Sequence, residues 1–140
     1  MSRILLGLAA LLVPAFAIAA DDAKKSGPMI GHMVYFTLND NSDAKVKELV
    51  GACEKYLSKH PGETFFAAGS RAKEFAREVN VQDWDVALHI VFRSKADHDR
   101  YQDAARHKQF IEENRANWKQ VRVFDSQFAH AETATTAAGR

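Results

Sequence analysis

Residues 30–38 constrain the fold most, because they have the pattern of a β-strand with apolar side chains on both faces. Successive side chains of a strand point to opposite sides of the sheet. One side of this strand would carry Ile30, His32, Val34, Phe36 and Leu38, and the other Met33, Tyr35 and Thr37. A strand that is apolar on both sides needs cover on both sides. Helices can cover one side, and in so short a chain a second copy of the protein is expected to cover the other.

Hydrophobic periodicity and turn residues divide the following sequence into alternating strands and helices. The predicted segments are a strand at 30–38, a helix at 43–60, strands at 63–70 and 85–93, a helical region at 94–118 with one or two interruptions, and a strand at 121–128. This order is the ferredoxin-like split βαβ pattern. It predicts an α+β fold in which a four-stranded antiparallel sheet carries its helices on one face.

Residues 1–20 have the pattern of a signal peptide. Arg3 precedes an apolar run, and Ala17-Ile18-Ala19 offers the small-x-small pattern of a cleavage site. A membrane-spanning helix needs about 20 apolar residues, and this apolar run is shorter. We therefore expect the segment to be cleaved and to leave no lasting membrane anchor. The expected organisation is a signal peptide (1–20), a linker (21–29), one domain (30–128) and a disordered tail (129–140). The product is expected in the periplasm or outside the cell.

The charge balance argues against a nucleic-acid partner. The chain has 19 basic and 18 acidic residues, and removal of Arg3 with the signal peptide leaves 18 of each. Binding to nucleic acid or to an anionic membrane normally requires a basic surface. Cys53 is the only cysteine and cannot form a disulfide within the chain. Its helical spacing with Leu49 and Leu57 predicts a small buried hydrophobe.

Residues 97–110 contain the best candidates for chemistry, Tyr101 and His107. From His107 onward, side chains recur at helical spacing at Phe110, Ile111, Asn114 and Trp118. An imidazole with a pKa near ~6.5 is suited to act as a general base, but His107 could equally be a hydrogen-bonded core residue. Tyr101 could stabilise an enolate oxygen, or it could be a half-buried amphipathic ring.

His32 and Asp125 are further candidates, on the first and last predicted strands. His32 could border a pocket or be satisfied by the backbone. Asp125 could orient an imidazole by accepting a hydrogen bond from it, or, near a strand end, it could be a cap or a surface charge.

A metal site is not expected from the spacing of the histidines. No group among His32, His89, His98 and His107 has the compact spacing of a zinc motif. His60 and His130 are expected to face solvent.

Several segments resemble the stress-responsive A/B barrel (Dabb) domain family. They are the strand at 32–38, residues 85–92 with the following 94–97, the group Tyr101, His107 and Phe110, and the strand at 121–125. The resemblance spans residues 31–128. It implies a homodimer in which two four-stranded sheets pack face to face into an α+β barrel. Met33 and Tyr35 are then expected in the interface.

The resemblance leaves two kinds of function open, since the family is functionally mixed. Many members are described only as stress-induced, whereas one plant member is a polyketide cyclase that performs an aldol condensation without a metal or organic cofactor. That cyclase has a tyrosine and a histidine base spaced like Tyr101 and His107, and its pocket residues match His32 and Asp125. The chain is therefore expected to be one of two things. It is either an exported dimer, stress-associated or binding a small apolar or carbonyl ligand, or a cofactor-free enzyme that acts on a carbonyl compound with His107 as base and Tyr101 as oxyanion partner.

The chain departs from the family pattern between Tyr101 and His107. The family often has His-Pro there, which breaks the helix, whereas this chain has Ala104-Ala105. Six residues on an unbroken helix turn through about 600°, which leaves the two side chains about 120° apart. They can share a pocket only if the helix kinks or ends between them, and two alanines do not force such a break.

Overall fold

The computed structural model describes residues 27–129, which form a four-stranded sheet with helices packed on one face. The elements are β1 (Met29–Leu38), α1 (Asp43–Leu57), β2 (Glu63–Ser70), β3 (Val86–Phe92), α2 (Lys95–Asp103), α3 (Ala105–Asn114), a 3₁₀ turn (Arg115–Asn117) and β4 (Trp118–Phe128). The strand order is β2-β3-β1-β4, and all neighbouring strands are antiparallel. The predicted ferredoxin-like α+β fold is confirmed.

Some of the sequence predictions lie outside the described residues. These are the signal peptide at 1–20, residues 21–26 of the linker and residues 130–140 of the tail. Met29, which was placed in the linker, is the first residue of β1. Within residues 27–129, no helix has both the length and the apolar character required to cross a bilayer.

Burial alternates along the two central strands. The helix-facing side of β3 is fully buried, with Leu88 at 1% exposure and Phe92 at 0%, whereas His89 on the other side is partly exposed. In β1, Val34 is buried and Tyr35 is partly exposed. Helix α1 covers the buried side, and its inward residues are Leu49, Cys53, Tyr56 and Leu57. The core therefore lies between the sheet and the helices, while the opposite side, which we call the open face, is covered by no helix of residues 27–129.

Cys53 is a core residue, as its spacing predicted. Its side chain is 0% exposed, and burial raises the pKa of the thiol to about 12. A thiol with so high a pKa forms little of the reactive thiolate at neutral pH.

The second helical region is interrupted at Ala104. Ser94 caps α2, because its Oγ accepts a hydrogen bond from the backbone N–H of Asp97 at 3.2 Å. Ala104 follows α2 with φ −63° and ψ 137°, which is an extended conformation, and α3 begins at the next residue. The helical stripe predicted to reach Trp118 ends at Asn114, since a 3₁₀ turn intervenes and Trp118 begins β4.

Helix α2 is fixed against the start of β2 through Asp97. This carboxylate is only 4% exposed and forms ion pairs with Arg93, at 3.3 Å, and with Arg100. Gly62 has φ +88°, and a Cβ at this position would overlap the side chain of Asp97. Glycine is thus required at the turn into β2 both for its backbone conformation and for the close approach of α2.

Candidate functional site

A cavity of about 280 Å³ lies between the sheet and helices α2 and α3. Its size is near the lower end of the range of roughly 300–1,000 Å³ that is typical of ligand pockets. Most of its wall is apolar and comes from Val34, Phe36, Leu57, Leu88, Phe110, Ile111, Trp118, Val121 and Val123. The polar lining comes from His32, Tyr101, Gln102, His107 and Asp125. The four candidates from the sequence therefore border one cavity.

The break at Ala104 brings Tyr101 and His107 together. Their ring centroids lie 4.6 Å apart with an interplanar angle of 42°. The end of α2 is stabilised in two ways. The N–H of Ala104 bonds the carbonyl oxygen of Tyr101 at 3.1 Å, and Nδ1 of His107 bonds the carbonyl oxygen of Gln102 at 3.1 Å. Carbonyl groups at a helix end lack partners within the helix, so the imidazole supplies one and helps to terminate α2 without a proline.

The bond to Gln102 also determines the protonation pattern of His107. A carbonyl oxygen only accepts, so Nδ1 must carry the proton, and in the neutral ring Nε2 then has a free lone pair. Among residues 27–129, no partner for Nε2 is found. Burial lowers the pKa of His107, and the Gln102 carbonyl opposes this in part. The imidazole is therefore neutral at pH 7 and able to accept a proton at Nε2.

Tyr101 presents a buried hydroxyl group without a partner. The residue is 2% exposed, and its oxygen forms no hydrogen bond within residues 27–129. The expectation of a half-buried ring is therefore wrong, because the rings of Phe92 and His60 pack against Tyr101 at 5.0 and 4.9 Å. Burial raises the pKa of the phenol, so it remains a donor. An unsatisfied buried hydroxyl costs about 1–3 kcal/mol, a cost that a ligand oxygen in the cavity would remove.

His32 and Asp125 form a pair across β1 and β4, where they lie opposite each other. Nδ1 of His32 and Oδ1 of Asp125 are 2.6 Å apart. Burial lowers the pKa of His32, and the bond to Asp125 opposes that shift. Asp125 thus orients an imidazole, which is one of the roles considered for it from the sequence. The imidazole is that of His32 and not that of His107.

Sequence reasoning did not predict the positions of two other histidines. His60 was expected in solvent, but it is 7% exposed, its Nε2 lies 2.9 Å from the carbonyl oxygen of Tyr56, and its ring packs on Tyr101. His98 of α2 lies next to the His32–Asp125 pair, with its ring centroid 5.1 Å from that of His32. Neither position has a signal in the sequence, because each depends on where α2 lies over the sheet.

Two features outside the cavity are not part of this site. His89 lies on the open face, where its Nε2 is 3.2 Å from the hydroxyl of Tyr35. A larger depression of about 480 Å³ lies beside α1 and the end of β2, lined by residues such as Lys47, Arg71 and Asp85. No histidine or tyrosine borders it among the described residues.

Comparison with known proteins places the architecture in a family. Residues 30–128 match the family model described as Stress responsive A/B Barrel Domain. A search of curated proteins found no match.

Solved structures with the same fold include proteins with and without an assigned activity. One is a Dabb family protein with a ferredoxin-like fold from Mesorhizobium loti, with 24% identity over 71% of this chain and 95% of that chain, and a TM-score of 0.59. Another is a dimeric ferredoxin-like protein of unknown function from Thermobifida fusca, with 17% identity over 73% and 92% of the two chains and a TM-score of 0.62. A third is a hydroxynitrile lyase from Passiflora edulis, with 12% identity over 76% and 98% and a TM-score of 0.61.

Proposed function

Because the chain belongs to the stress-responsive A/B barrel domain family, we propose that its cavity binds a small carbonyl compound and catalyses proton transfer at the carbon next to the carbonyl group. One observation carries this proposal. Within residues 27–129 the hydroxyl of Tyr101 has no partner and Nε2 of His107 is free, and both side chains border the same cavity. A donor and a base are the two groups that the formation of an enolate requires.

The proposed reaction uses only side chains of this chain. Nε2 of His107 removes the proton from the α-carbon, and the electron pair of that C–H bond moves into the carbonyl group. Negative charge then develops on the carbonyl oxygen, to which Tyr101 donates a hydrogen bond. The protonated imidazole returns the proton to carbon, or the enolate carbon attacks a second carbonyl group, whose oxygen then takes the proton from the imidazolium. Gln102 keeps Nδ1 of His107 protonated throughout.

The apolar wall favours a substrate with a hydrocarbon part. Phe110, Ile111 and Val123 line the cavity together with its polar groups, and apolar walls with a few fixed polar groups are typical of small-molecule sites. The hydroxynitrile lyase among the fold neighbours shows that an enzyme of that name uses this fold. An identity of 12% supports a shared fold and not a shared activity or substrate. The alternative is that the protein binds such a compound without catalysis. This alternative uses the same cavity and gives no role to Nε2 of His107.

The open face supports a homodimer. Phe65 and Phe124, which flank the central strands on this face, are 52% and 55% exposed, and the ring of Phe124 lies 5.9 Å from that of Tyr35. Large apolar side chains grouped on one surface mark an interaction site. Three of the fold neighbours are described as dimeric. The proposed partner is a second copy of this chain, related by a two-fold axis.

Export of the protein is a proposal that rests on residues 1–20 alone. Their pattern of Arg3, an apolar run and Ala17-Ile18-Ala19 is that of a cleaved signal peptide. After cleavage the product would be periplasmic or secreted and would retain no membrane anchor.

The test of the catalytic proposal is exchange of the α-proton with solvent deuterium. The purified protein, treated with a chelator, is incubated in D₂O with a panel of small ketones and aldehydes, and loss of the α-proton signal is followed by NMR. This reaction reports proton abstraction whatever the later steps are. We expect wild-type protein to accelerate exchange, and His107→Ala to lower the rate by about 10²–10⁴-fold.

The matched control is Lys108→Ala, which alters the exposed neighbour of His107 on the same helix. It should retain the wild-type rate, and both variants should melt within a few degrees of wild type. Equal exchange rates in wild type and His107→Ala would refute the assigned base. A ligand found by native mass spectrometry, together with no exchange, would leave binding as the function.

A further inference from the structure

We propose that His32, His98 and Asp125 form a binding site for one divalent transition-metal ion. These residues come from three elements, β1, α2 and β4. One donor atom from each lies within 4.8 Å of the others, and no other group of three histidine, cysteine or acidic residues in the described range is so arranged. The spacing along the chain gave no metal motif, because the ligands meet only when α2 packs beside the β1–β4 pair.

The distances are close to those of a bound ion. Oδ1 of Asp125 lies 2.6 Å from Nδ1 of His32 and 3.7 Å from Nε2 of His98. A tetrahedral zinc ion with bonds of about 2.0–2.1 Å holds its ligand atoms about 3.3 Å apart. To bind the ion, the distance from Asp125 to His32 must therefore widen and the distance from Asp125 to His98 must shorten, each by less than about 1 Å. The side chain of Asp125 is 48% exposed, so its carboxylate has room to rotate between the two imidazoles.

The tautomer of His98 is the one that a metal ligand needs. The amide nitrogen of Gln102 lies 3.2 Å from Nε2 of His98, and an amide NH₂ group can only donate. Nε2 therefore carries the lone pair, which accepts this hydrogen bond and would exchange the Gln102 amide for the ion, while the ring proton is on Nδ1. That nitrogen faces a carboxylate oxygen of Asp99 at 3.6 Å. A ligating histidine whose other nitrogen faces a carboxylate is the usual arrangement around protein-bound metals.

The chemistry of the donor set indicates the class of metal. Two imidazoles and one carboxylate suit Zn²⁺ and Fe²⁺, and three protein ligands leave at least one position open for water or a substrate oxygen. His32 and Asp125 line the cavity, so an ion they hold would border it. The inference stands on this cluster alone and does not depend on the role proposed for His107.

Binding of Zn²⁺ and Co²⁺ to the full chain tests the inference. Protein without an affinity tag is treated with a chelator, desalted and titrated with Zn²⁺ by calorimetry. We expect one equivalent of Zn²⁺ per chain. Co²⁺ should give the intense visible bands of a four-coordinate site and should be displaced by Zn²⁺. His98→Gln and Asp125→Asn should each weaken binding by more than the roughly 10–100-fold that loss of an outer partner costs.

Asp103→Asn is the matched control, since this carboxylate is 86% exposed and pairs with Lys108 away from the cluster. It should bind Zn²⁺ like wild type, and circular dichroism should show all variants folded. Absence of stoichiometric binding, or equal affinity in wild type and His98→Gln, would overturn the proposal. The α-proton exchange assay is run in chelator, so either result is independent of the other.

Discussion

The two faces of the same sheet differ in how completely this chain covers them. On the helix-facing side, Leu88, Ile90 and Phe92 of β3 are 0–1% exposed. On the open face, Phe65 and Phe124 are more than half exposed. The same strands build both faces. Along β1, successive side chains point alternately to one face and to the other.

This difference in coverage assigns a different role to each side of the sheet. On the helix-facing side, the residues of β3 are covered within one chain, whereas Val123 at the β4 edge stays 49% exposed, and this side borders the cavity with its titratable groups. The open face carries an aromatic cluster in which Tyr35 contacts Trp84 and Phe124 at 5.0 and 5.9 Å, and no helix within residues 27–129 covers it, so the proposed dimer would supply its cover. A change on the first side should therefore alter folding or chemistry, and a change on the second should alter assembly.

The largest effect is expected from a charge on the covered side. Val34 is 5% exposed, and Val34→Asp would bury a carboxylate without a partner. That costs several kcal/mol, which is comparable with the total stability of about 5–15 kcal/mol of a small domain. We expect loss of the cooperative unfolding transition in urea. Val123→Asp is the control, since Val123 is the cross-strand partner of Val34 but is 49% exposed. Cooperative unfolding of both variants would contradict the assignment of the core.

The next effect is on assembly. Tyr35→Asp places a charge on the open face next to Val34, and it should convert the dimer to monomer or aggregate while the far-ultraviolet circular dichroism stays native. Tyr35→Phe keeps the apolar ring and should remain dimeric. Light scattering at micromolar concentration measures both. A wild-type protein that is monomeric under these conditions would show that the open face is not the dimer interface.

A smaller effect, confined to chemistry, is expected at Tyr101. Tyr101→Phe removes a hydroxyl that has no partner among residues 27–129, so the free energy of unfolding should be unchanged or increased. Loss of an oxyanion donor should still cost about 3 kcal/mol in the transition state, roughly 100-fold in the exchange rate.

Tyr56→Phe is the matched control for Tyr101→Phe. The Tyr56 hydroxyl bonds Glu113 at 2.6 Å, so its removal should lower stability by about 1 kcal/mol and leave exchange intact. An unaltered exchange rate in Tyr101→Phe would exclude the phenol as the donor.

The smallest effect is the dependence of stability on pH. Burial lowers the pKa of His107, and positive charge on the neighbouring His32 adds to this. Burial also lowers the pKa of His32. The unfolded chain, with pKa values near 6.5, then binds more protons than the folded chain in mildly acidic solution. Stability should be fully present at pH 7 and fall as the pH drops below about 6.5, by up to about 1.4 kcal/mol per pH unit for each extra proton.

Urea unfolding at a series of pH values measures this dependence, and His107→Ala should reduce its slope. The rate of α-proton exchange should also fall as the pH drops below about 6.5, because protonated His107 cannot act as a base. Stability that rises on acidification would contradict the buried, neutral state of these imidazoles.

The sequence predicted the sheet well because its strands have clear boundaries. β2 begins and ends at the predicted residues, Glu63 and Ser70, since Pro61-Gly62 precedes it and a charged loop follows. Trp118 was placed wrongly, because it falls on the helical stripe of His107 by spacing alone. The 3₁₀ turn before it shifts the backbone from helix to strand, and periodicity does not detect so short a turn.

The candidate site was predictable only in part. His32 and Asp125 lie on strands whose pairing follows from the fold, so their proximity was within reach of sequence reasoning. The environments of His60 and His98 were not, because they depend on how α2 is placed over β1 by Asp97 and Gly62. Three-dimensional packing of a helix on a sheet is not encoded in any short motif.

The extended conformation of Ala104 makes the geometry of the pocket depend on one backbone angle. With ψ at 137° the chain leaves one helix and enters another. A helical ψ at this residue would fuse the two, and Tyr101 and His107 would then point about 120° apart. Alanine favours helix more than any other residue, so local preference opposes the arrangement that the cavity needs. Ala105 occupies the first position of α3, where proline is well tolerated and holds the preceding residue extended. The chain could thus acquire a rigid version of this joint by a single substitution, without altering any residue that touches the cavity.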